Sequence, residues 1–245
     1  MDREKCSLSF VDVIRIPIFL LWVILSAVTY STGCIIFNLF APSISRLIGK
    51  LWTVHLLWMG GVRVVVDGLE KLDITRRYVF ISNHQSALDI PVIIAGLKHY
   101  VSFIAKKELF MIPFFGWGIW SMGHILIDRS NPRKARSSLE KAVEHLKELN
   151  TSLILFPEGT RSSDGQLGEF KQGSFALALK AGVQVVPLTI KDAVMRLPKK
   201  SMRINPGTIY LQIGDPIEVT PQTTKAEICQ KTHGIIKRSL IEHSS

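Results

Sequence analysis

The segment FISNHQSALDIPV, residues 80–92, contains the change from strand to helix that indicates the fold class. The segment begins inside a short apolar run, YVFIS (78–82). This run is rich in aromatic and β-branched residues and is typical of a strand. Pro91 is tolerated only in the first turn of a helix, so we expect a helix to begin between Leu88 and Ile90. A buried strand that leads directly into a helix is typical of an α/β fold.

Six further apolar runs of the same kind follow residue 61. They are VRVVV (62–66), VSFIA (101–105), HILID (124–128), SLILF (152–156), VQVVPLTI (183–190) and TIYLQIG (208–214). Helical patterns lie between several of them, at residues 131–150 and 172–182, and a last one closes the chain at 224–243. The alternation predicts a mixed, mostly parallel sheet of about seven strands flanked by helices. VRVVV and YVFIS are too close in sequence for a helical crossover, so we expect them to pair antiparallel.

The N-terminal region has no charged residue between Arg15 and Arg46. As one helix this stretch would be about 45 Å long, which exceeds a hydrocarbon core of about 30 Å. We therefore expect either a single tilted span or a helical hairpin with its turn at TYSTG (29–33), and basic residues on both sides favour the hairpin. This divides the chain into a membrane-associated hairpin, residues 1–61, and an α/β domain, residues 62–245.

The composition limits the classes of partner. The 245 residues carry a formal net charge of +10, which suits an anionic membrane surface, a phosphorylated substrate or nucleic acid. Lysines and arginines are not interleaved with aromatic residues on one strand face, so no nucleic-acid partner is expected. The three cysteines form no CxxC pair and the seven histidines show no metal-ligand spacing, so no metal site is predicted.

Polar residues follow four of the predicted strands, and a sheet of this class brings such strand ends to one crevice. The four segments are SNHQSALD (82–89), KKEL (106–109), DRSN (128–131) and PEGTRS (157–162). His84 lies in a loop that could fold back toward Asp89, and a carboxylate on one ring nitrogen raises the basicity of the other. Lys106, Arg129 and Arg161 would add cations suited to phosphate oxygens. The pattern predicts a general base beside a pocket for a phosphorylated alcohol.

Four ordered blocks carry a resemblance to a known family. NHQSALD (83–89), GHILIDR (123–129), FPEGTRS (156–162) and VPLTI (186–190) resemble those of the glycerolipid acyltransferases, most closely the bacterial 1-acyl-glycerol-3-phosphate acyltransferases, and AKKEL (105–109) fits a further family feature. The first and third blocks match without departure. His124 and Leu126 stand where other residues are frequent, at positions where we do not expect substrate contact. The resemblance implies the glycerolipid acyltransferase fold.

The resemblance also implies an activity. The protein would transfer a fatty acyl group from acyl-CoA or acyl-carrier protein to the free hydroxyl of lysophosphatidate, forming phosphatidate in phospholipid synthesis. His84 would be the general base and Asp89 would orient it. An activated thioester needs no metal or other cofactor. The protein would lie at the cytoplasmic face of the cell membrane, in contact with anionic lipids.

The remaining site residues implied by the resemblance bind substrate. Those expected to hold the acceptor's phosphate or to shape the loop around it are Lys106, Arg129, Glu158, Gly159, Thr160 and Arg161.

Several alternatives stay open at this stage. The acceptor could be glycerol 3-phosphate or another lysolipid, and a basic membrane-binding protein without catalysis is a further reading. Ser86 could act as a nucleophile, although no GxSxG elbow surrounds it. The segment FFGWGIWSMG (114–123) could line the route of the acyl chain or pack in the core.

Overall fold

The structure is a computed structural model that describes residues 10–127, 140, 142–144, 146 and 151–243, without the side chains of residues 10–12, 106, 127 and 243. Most of the helix predicted at 131–150 therefore lies outside the described residues, as does Arg129. Residues 140, 142–144 and 146 are helical, and Ala142 and Leu146 are buried in the core.

Seven strands lie at the predicted positions. They are β1 (Val62–Asp67), β2 (Val79–Ser82), β3 (Val101–Lys106), β4 (Ile125–Ile127), β5 (Ser152–Leu155), β6 (Val185–Lys191) and β7 (Gly207–Ile213). They form one sheet in the order β1-β7-β6-β2-β5-β3-β4. Within the described strands, β6 and β7 pair antiparallel and the other neighbours pair parallel. The predicted mixed, mostly parallel sheet is confirmed.

The predicted antiparallel pairing of β1 with β2 was wrong. β1 pairs in parallel with β7, with Val62 opposite Gly207, whereas β2 lies between β5 and β6. Burial explains the difference: every residue of β2 is buried, as a central strand requires, while β1 alternates between covered and exposed residues, as suits an edge. Strand pairing here follows this difference in burial and not the closeness of β1 and β2 in sequence.

Helices cover both faces of the sheet. They are α1 (Phe10–Asn38), α2 (Pro42–Met59), α3 (Asp89–Gly96), α4 (Lys107–Phe110), α5 (Phe115–Ser121), α6 (Ala176–Ala181), α7 (Ala193–Arg196) and α8 (Lys225–His243), with 3-10 turns at Leu69–Lys71 and Gln172–Phe175. Phe80 of β2 packs into a core cluster shared with α3, whereas Val79 and Ile81 pack into a second cluster shared with α8. The alternation of side chains along a strand thus builds one core on each face.

The N-terminal helical hairpin is present, but the prediction of its turn at residues 29–33 was wrong. α1 continues through that segment because Thr29 and Thr32 donate their hydroxyls to the carbonyls of Leu25 and Val28, at 2.9 and 2.8 Å, and so satisfy their polar groups inside the helix. The chain turns at residues 39–41 instead, and Pro42 starts the antiparallel helix α2. The boundary at residue 61 stays a prediction.

α1 has the dimensions of a membrane span. Its 29 residues extend about 43 Å, and Val13–Asn38 is, in the described part of the chain, the one helix long and apolar enough to cross a bilayer by length and composition. Ile18, Leu21 and Ile24 are exposed along it. Its other side packs against α2 and α5.

Candidate active site

The loop between β2 and α3 is fixed to the carboxyl end of the neighbouring strand β6. Asn83 donates its Nδ2 group to the carbonyl of Ile190 and accepts the Ile190 backbone N–H at Oδ1, both at 2.8 Å. This pair links the first sequence block to the last one, VPLTI. It places His84 at the crevice edge of the sheet.

His84 and Asp89 form the predicted pair. The Nδ1 atom of His84 lies 2.7 Å from Oδ2 of Asp89, and the same oxygen accepts the backbone N–H groups of Gln85 and Ser86 at 2.7 and 2.8 Å. Asp89 is fully buried at the first turn of α3, while the imidazole of His84 is 20% exposed. An ionised carboxylate only accepts hydrogen bonds, so in a neutral imidazole this contact favours the tautomer with the proton on Nδ1 and the lone pair on Nε2.

The PEGTRS loop holds His84 from the opposite side. The imidazole stacks on the Phe156 ring with 4.1 Å between centroids. The carboxylate of Glu158 accepts the backbone N–H of His84 at 2.7 Å and that of Gly168 at 3.0 Å, and Ser162 N–H donates to the carbonyl of His84 at 2.7 Å. Burial raises the pKa of Glu158, although these two backbone hydrogen bonds oppose the shift.

A cavity of about 560 Å³ adjoins the imidazole. His84 and Arg161 line it together. Most of its remaining wall is apolar and comes from α2, α3 and α5, for example Leu56, Ile94 and Ile119. The cavity thus combines the His84 imidazole and the Arg161 guanidinium with a mostly apolar wall suited to hydrocarbon.

The structure describes only some of the other predicted site residues. Gly159 adopts a left-handed conformation at φ +72°, and Thr160 beside it is exposed. Lys106 is the last residue of β3, but its side chain lies outside the described part, as does all of Arg129. Arg161 is therefore the predicted cation that the described residues place on the cavity wall.

Sequence reasoning missed further cations near the cavity. Lys199 donates its Nζ to the carbonyl of Arg161 at 2.6 Å, which ties the β6–β7 connection to the PEGTRS loop. Arg46, Lys50 and Lys98 also line the cavity, and Lys50 donates to the carbonyl of Leu97 at 2.6 Å. Such long-range contacts leave no signal in local patterns.

The structure bears on two further residues, Ser86 and His124. Ser86 donates its hydroxyl to the carbonyl of Leu197 at 2.8 Å and accepts the Leu88 N–H at 3.2 Å, so it braces the loop and is not positioned as a nucleophile on His84. His124, which we did not expect near substrate, lies on the cavity wall and stacks on Phe103 at 3.9 Å. Across the described residues, no three His, Cys, Asp or Glu side chains are grouped as metal ligands.

Comparison with known proteins decides the family. A family profile described as Acyltransferase matches residues 63–191, which include His84, Asp89 and the PEGTRS loop. The chain belongs to the acyltransferase family.

Relatives of this acyltransferase-family chain share its sequence over most of its length. It is 32% identical over 97% of its residues to the 1-acyl-sn-glycerol-3-phosphate acyltransferase of Pseudomonas aeruginosa, of which it covers 94%. It is 35% identical over 84% of its residues to a chloroplastic 1-acyl-sn-glycerol-3-phosphate acyltransferase of Arabidopsis thaliana and 36% identical over 75% to one of Brassica napus. It spans 57% and 53% of the length of these two plant relatives.

A solved structure has the same fold. The 1-acyl-sn-glycerophosphate (LPA) acyltransferase PlsC of Thermotoga maritima superposes with a TM-score of 0.80 at 29% identity, covering 95% of this chain and 97% of that one. This match confirms the predicted fold class, that of the glycerolipid acyltransferases.

Proposed function

We propose that this protein transfers an acyl group from a thioester donor, acyl-CoA or acyl-carrier protein, to the free hydroxyl of lysophosphatidate. The observation that carries the proposal is the 2.7 Å contact between His84 and Asp89, because His84 lines a mostly apolar cavity that Arg161 also lines. The relatives in Pseudomonas aeruginosa and Arabidopsis thaliana bear the name of this activity.

His84 supplies the base in the proposed reaction. Its Nε2 atom removes the hydroxyl proton as the oxygen attacks the thioester carbonyl, and the buried carboxylate of Asp89 stabilises the imidazolium. The tetrahedral intermediate then collapses, the carbon–sulfur bond breaks, and the imidazolium returns the proton to the departing thiolate. The new ester bond and the free thiol balance the reaction. Positioning of the two substrates supplies much of the remaining acceleration.

The phosphate of the acceptor lies beside Arg161 in this proposal. A guanidinium offers two parallel N–H donors to phosphate oxygens, and the 2.6 Å bond from Lys199 holds its backbone in place. Lys106 and Arg129 are the further cations we propose for this pocket. Glu158 shapes the loop by fixing the backbone at His84 and at Gly168.

The cavity provides room for an acyl chain that leads away from His84. Ile90, Ile94 and Ile119 along its wall offer apolar contacts to such a chain. We expected the segment 114–123 either to line the acyl route or to pack in the core. Its residues Phe115 and Ile119 line the cavity proposed for the acyl chain, and both also pack with the core cluster.

Membrane association completes the proposal. The exposed apolar surface of α1 binds lipid hydrocarbon, and the net charge of +10 attracts anionic lipids, which are enriched at the cytoplasmic face. An acceptor that already resides in the bilayer suits this arrangement. Lysophosphatidate is therefore favoured over the soluble glycerol 3-phosphate, which is the second candidate acceptor.

The test is an acyl-transfer assay with the purified protein and a radiolabelled acyl donor. Lysophosphatidate, glycerol 3-phosphate and an uncharged-headgroup lysolipid are offered separately, and each product is identified by chromatography. Radiolabelled phosphatidate is expected from the first acceptor at the highest kcat/KM. Faster turnover of glycerol 3-phosphate, or no ester product at all, would contradict the proposal.

A further inference from the structure

Residues 109–121, which contain α5 and the chain leading to it, have two apolar sides. The inner side contributes Leu109, Phe115 and Ile119 to the cavity beside His84. The outer side, with Phe110, Trp117 and Trp120, lines a separate external groove of about 500 Å³. The segment is therefore a thin wall between the reactive cavity and the outside, and the proposed reaction accounts for its inner side alone.

The outer side is unusually exposed for its composition. Met111 is 76% exposed, Trp120 68% and Trp117 52%. Residues 110–127 contain no Asp, Glu, Lys or Arg. A continuous exposed surface of this kind marks an interaction site with an apolar partner.

The same surface continues into α1. The external groove is closed on one side by Ile35 and Leu39 at the end of α1. The helices α1 and α5 are in close contact, because a Cβ atom added to Gly118 would lie 2.5 Å from the Ser31 hydroxyl oxygen. The outer side of the wall is thus contiguous with the helix that has the length and composition of a membrane span.

We propose that residues 109–121 form a second membrane-inserted element whose outer side contacts the acyl chains of bilayer lipids. Continuity with α1 and the absence of charge favour lipid over a protein partner, whose binding surface usually carries a polar rim. Trp117 and Trp120 are suited to the depth just below the headgroups. The insertion places the reactive cavity beside the acyl-chain layer, separated from it by one segment. This inference rests on the proposed function in one respect, namely that the acceptor resides in the bilayer.

A first experiment measures depth directly. Tryptophan fluorescence of the intact protein is recorded on vesicles whose lipids carry bromine on the upper acyl carbons, and the Trp117→Phe/Trp120→Phe double variant is compared with wild type. Wild type is expected to lose more fluorescence than the variant, because bromine quenches only tryptophans in contact with it. An equal quenched amplitude in the two proteins would overturn the proposal.

A second experiment uses charge insertion. Met111→Glu and Trp120→Glu are compared with Ile74→Glu, which alters a residue of similar exposure, 57%, away from this surface. Acylation is measured with lysophosphatidate in vesicles and in non-ionic detergent micelles. The two wall variants are expected to lose about tenfold or more on vesicles and less than about twofold in micelles, because a carboxylate resists entry into hydrocarbon; the Ile74 variant should match wild type in both.

Unchanged vesicle activity, or equal losses in vesicles and micelles, would overturn the insertion. Failure of the proposed function has a different signature: wild type would be inactive in both media while brominated lipids still quench Trp117 and Trp120.

Discussion

At the residue scale, the two carboxylate oxygens of Asp89 have unequal surroundings. Oδ2 accepts three hydrogen bonds, from His84, Gln85 and Ser86, whereas Oδ1 is buried with no partner among the described residues. These hydrogen bonds therefore fix the buried carboxylate with Oδ2 directed at the imidazole. Burying such a carboxylate costs free energy in the protein without substrate. It stabilises the site most when His84 becomes positively charged.

Asp89→Asn tests this electrostatic role. The amide keeps the size of the side chain, but it cannot stabilise an imidazolium as a carboxylate does. We expect kcat to fall by at least about a hundredfold. Steady-state kinetics check the fall, and a Tm measured in parallel separates it from unfolding. A variant with more than half of the wild-type kcat would show that Asp89 has no electrostatic part in turnover.

The raised pKa of Glu158 predicts how the stability of the protein depends on pH. Burial raises its pKa in the folded protein, so the folded state holds the proton more tightly than the unfolded chain. Wild type should therefore lose stability relative to Glu158→Gln as pH rises from the ordinary glutamate range through the raised pKa, because the variant has no ionisation there. Urea unfolding of both proteins across this range measures the difference. A constant difference would contradict the burial effect.

The same substitution should reduce activity. Glu158 accepts N–H groups from both His84 and Gly168, and an amide can accept only one of them and must direct its own NH2 group at the other. We expect kcat/KM to fall by about tenfold or more as the loop around His84 loosens. The assay is the acceptor assay described above, with Ile74→Gln as the matched surface control.

At the element scale, α2 and α5 both line the cavity, and they meet where Trp52 lies beside Phe115. A Cβ atom on Gly49 would overlap the thioether of Met122, which is a flexible cavity-lining side chain. We expect Gly49→Ala to push Met122 into the cavity and to shift the preference toward shorter acyl chains. Mass spectrometry of products from an equimolar mixture of donors measures this shift. An unchanged product profile would place the acyl chain elsewhere.

The elements themselves were largely predictable. Short apolar runs identified the seven strands that lie in the described part of the chain, and Pro91 correctly located the start of α3 at Asp89. Pairing was harder to predict, since partners such as β1 and β7 are joined by backbone hydrogen bonds that do not depend on side-chain pattern. The hairpin turn was misplaced because Thr29 and Thr32, which suit a turn, satisfy their hydroxyls equally well inside a helix.

At the scale of the whole molecule, the site combines segments distant in sequence. His84, Asp89 and the PEGTRS loop could be predicted to meet, because polar residues at the ends of parallel strands share one edge. The positions of Lys199 and His124 could not, because the β6–β7 connection brings Lys199 to the backbone of Arg161 and the connection between α5 and β4 brings His124 to the cavity wall. The sequence therefore predicts the chemistry of the site better than it predicts the shape of the pocket.

Charge and apolar surface act together in membrane binding. The net charge of +10 should strengthen binding to anionic vesicles by up to about 1 kcal/mol for each basic residue near the surface, and salt should screen this part. Binding through α1 should persist at high salt. Co-sedimentation with anionic and zwitterionic vesicles at rising ionic strength measures both parts. Complete release at high salt would contradict insertion of apolar surface.

The most direct test of the central claim is the rate of acyl transfer to lysophosphatidate by His84→Ala. His233→Ala, which alters a histidine that contacts Phe170 in the C-terminal part of the fold, serves as the control. We expect kcat/KM to fall by about a thousandfold in the His84 variant alone, while vesicle binding stays at the wild-type level. A folded His84→Ala protein that retains more than about a tenth of wild-type activity would contradict it.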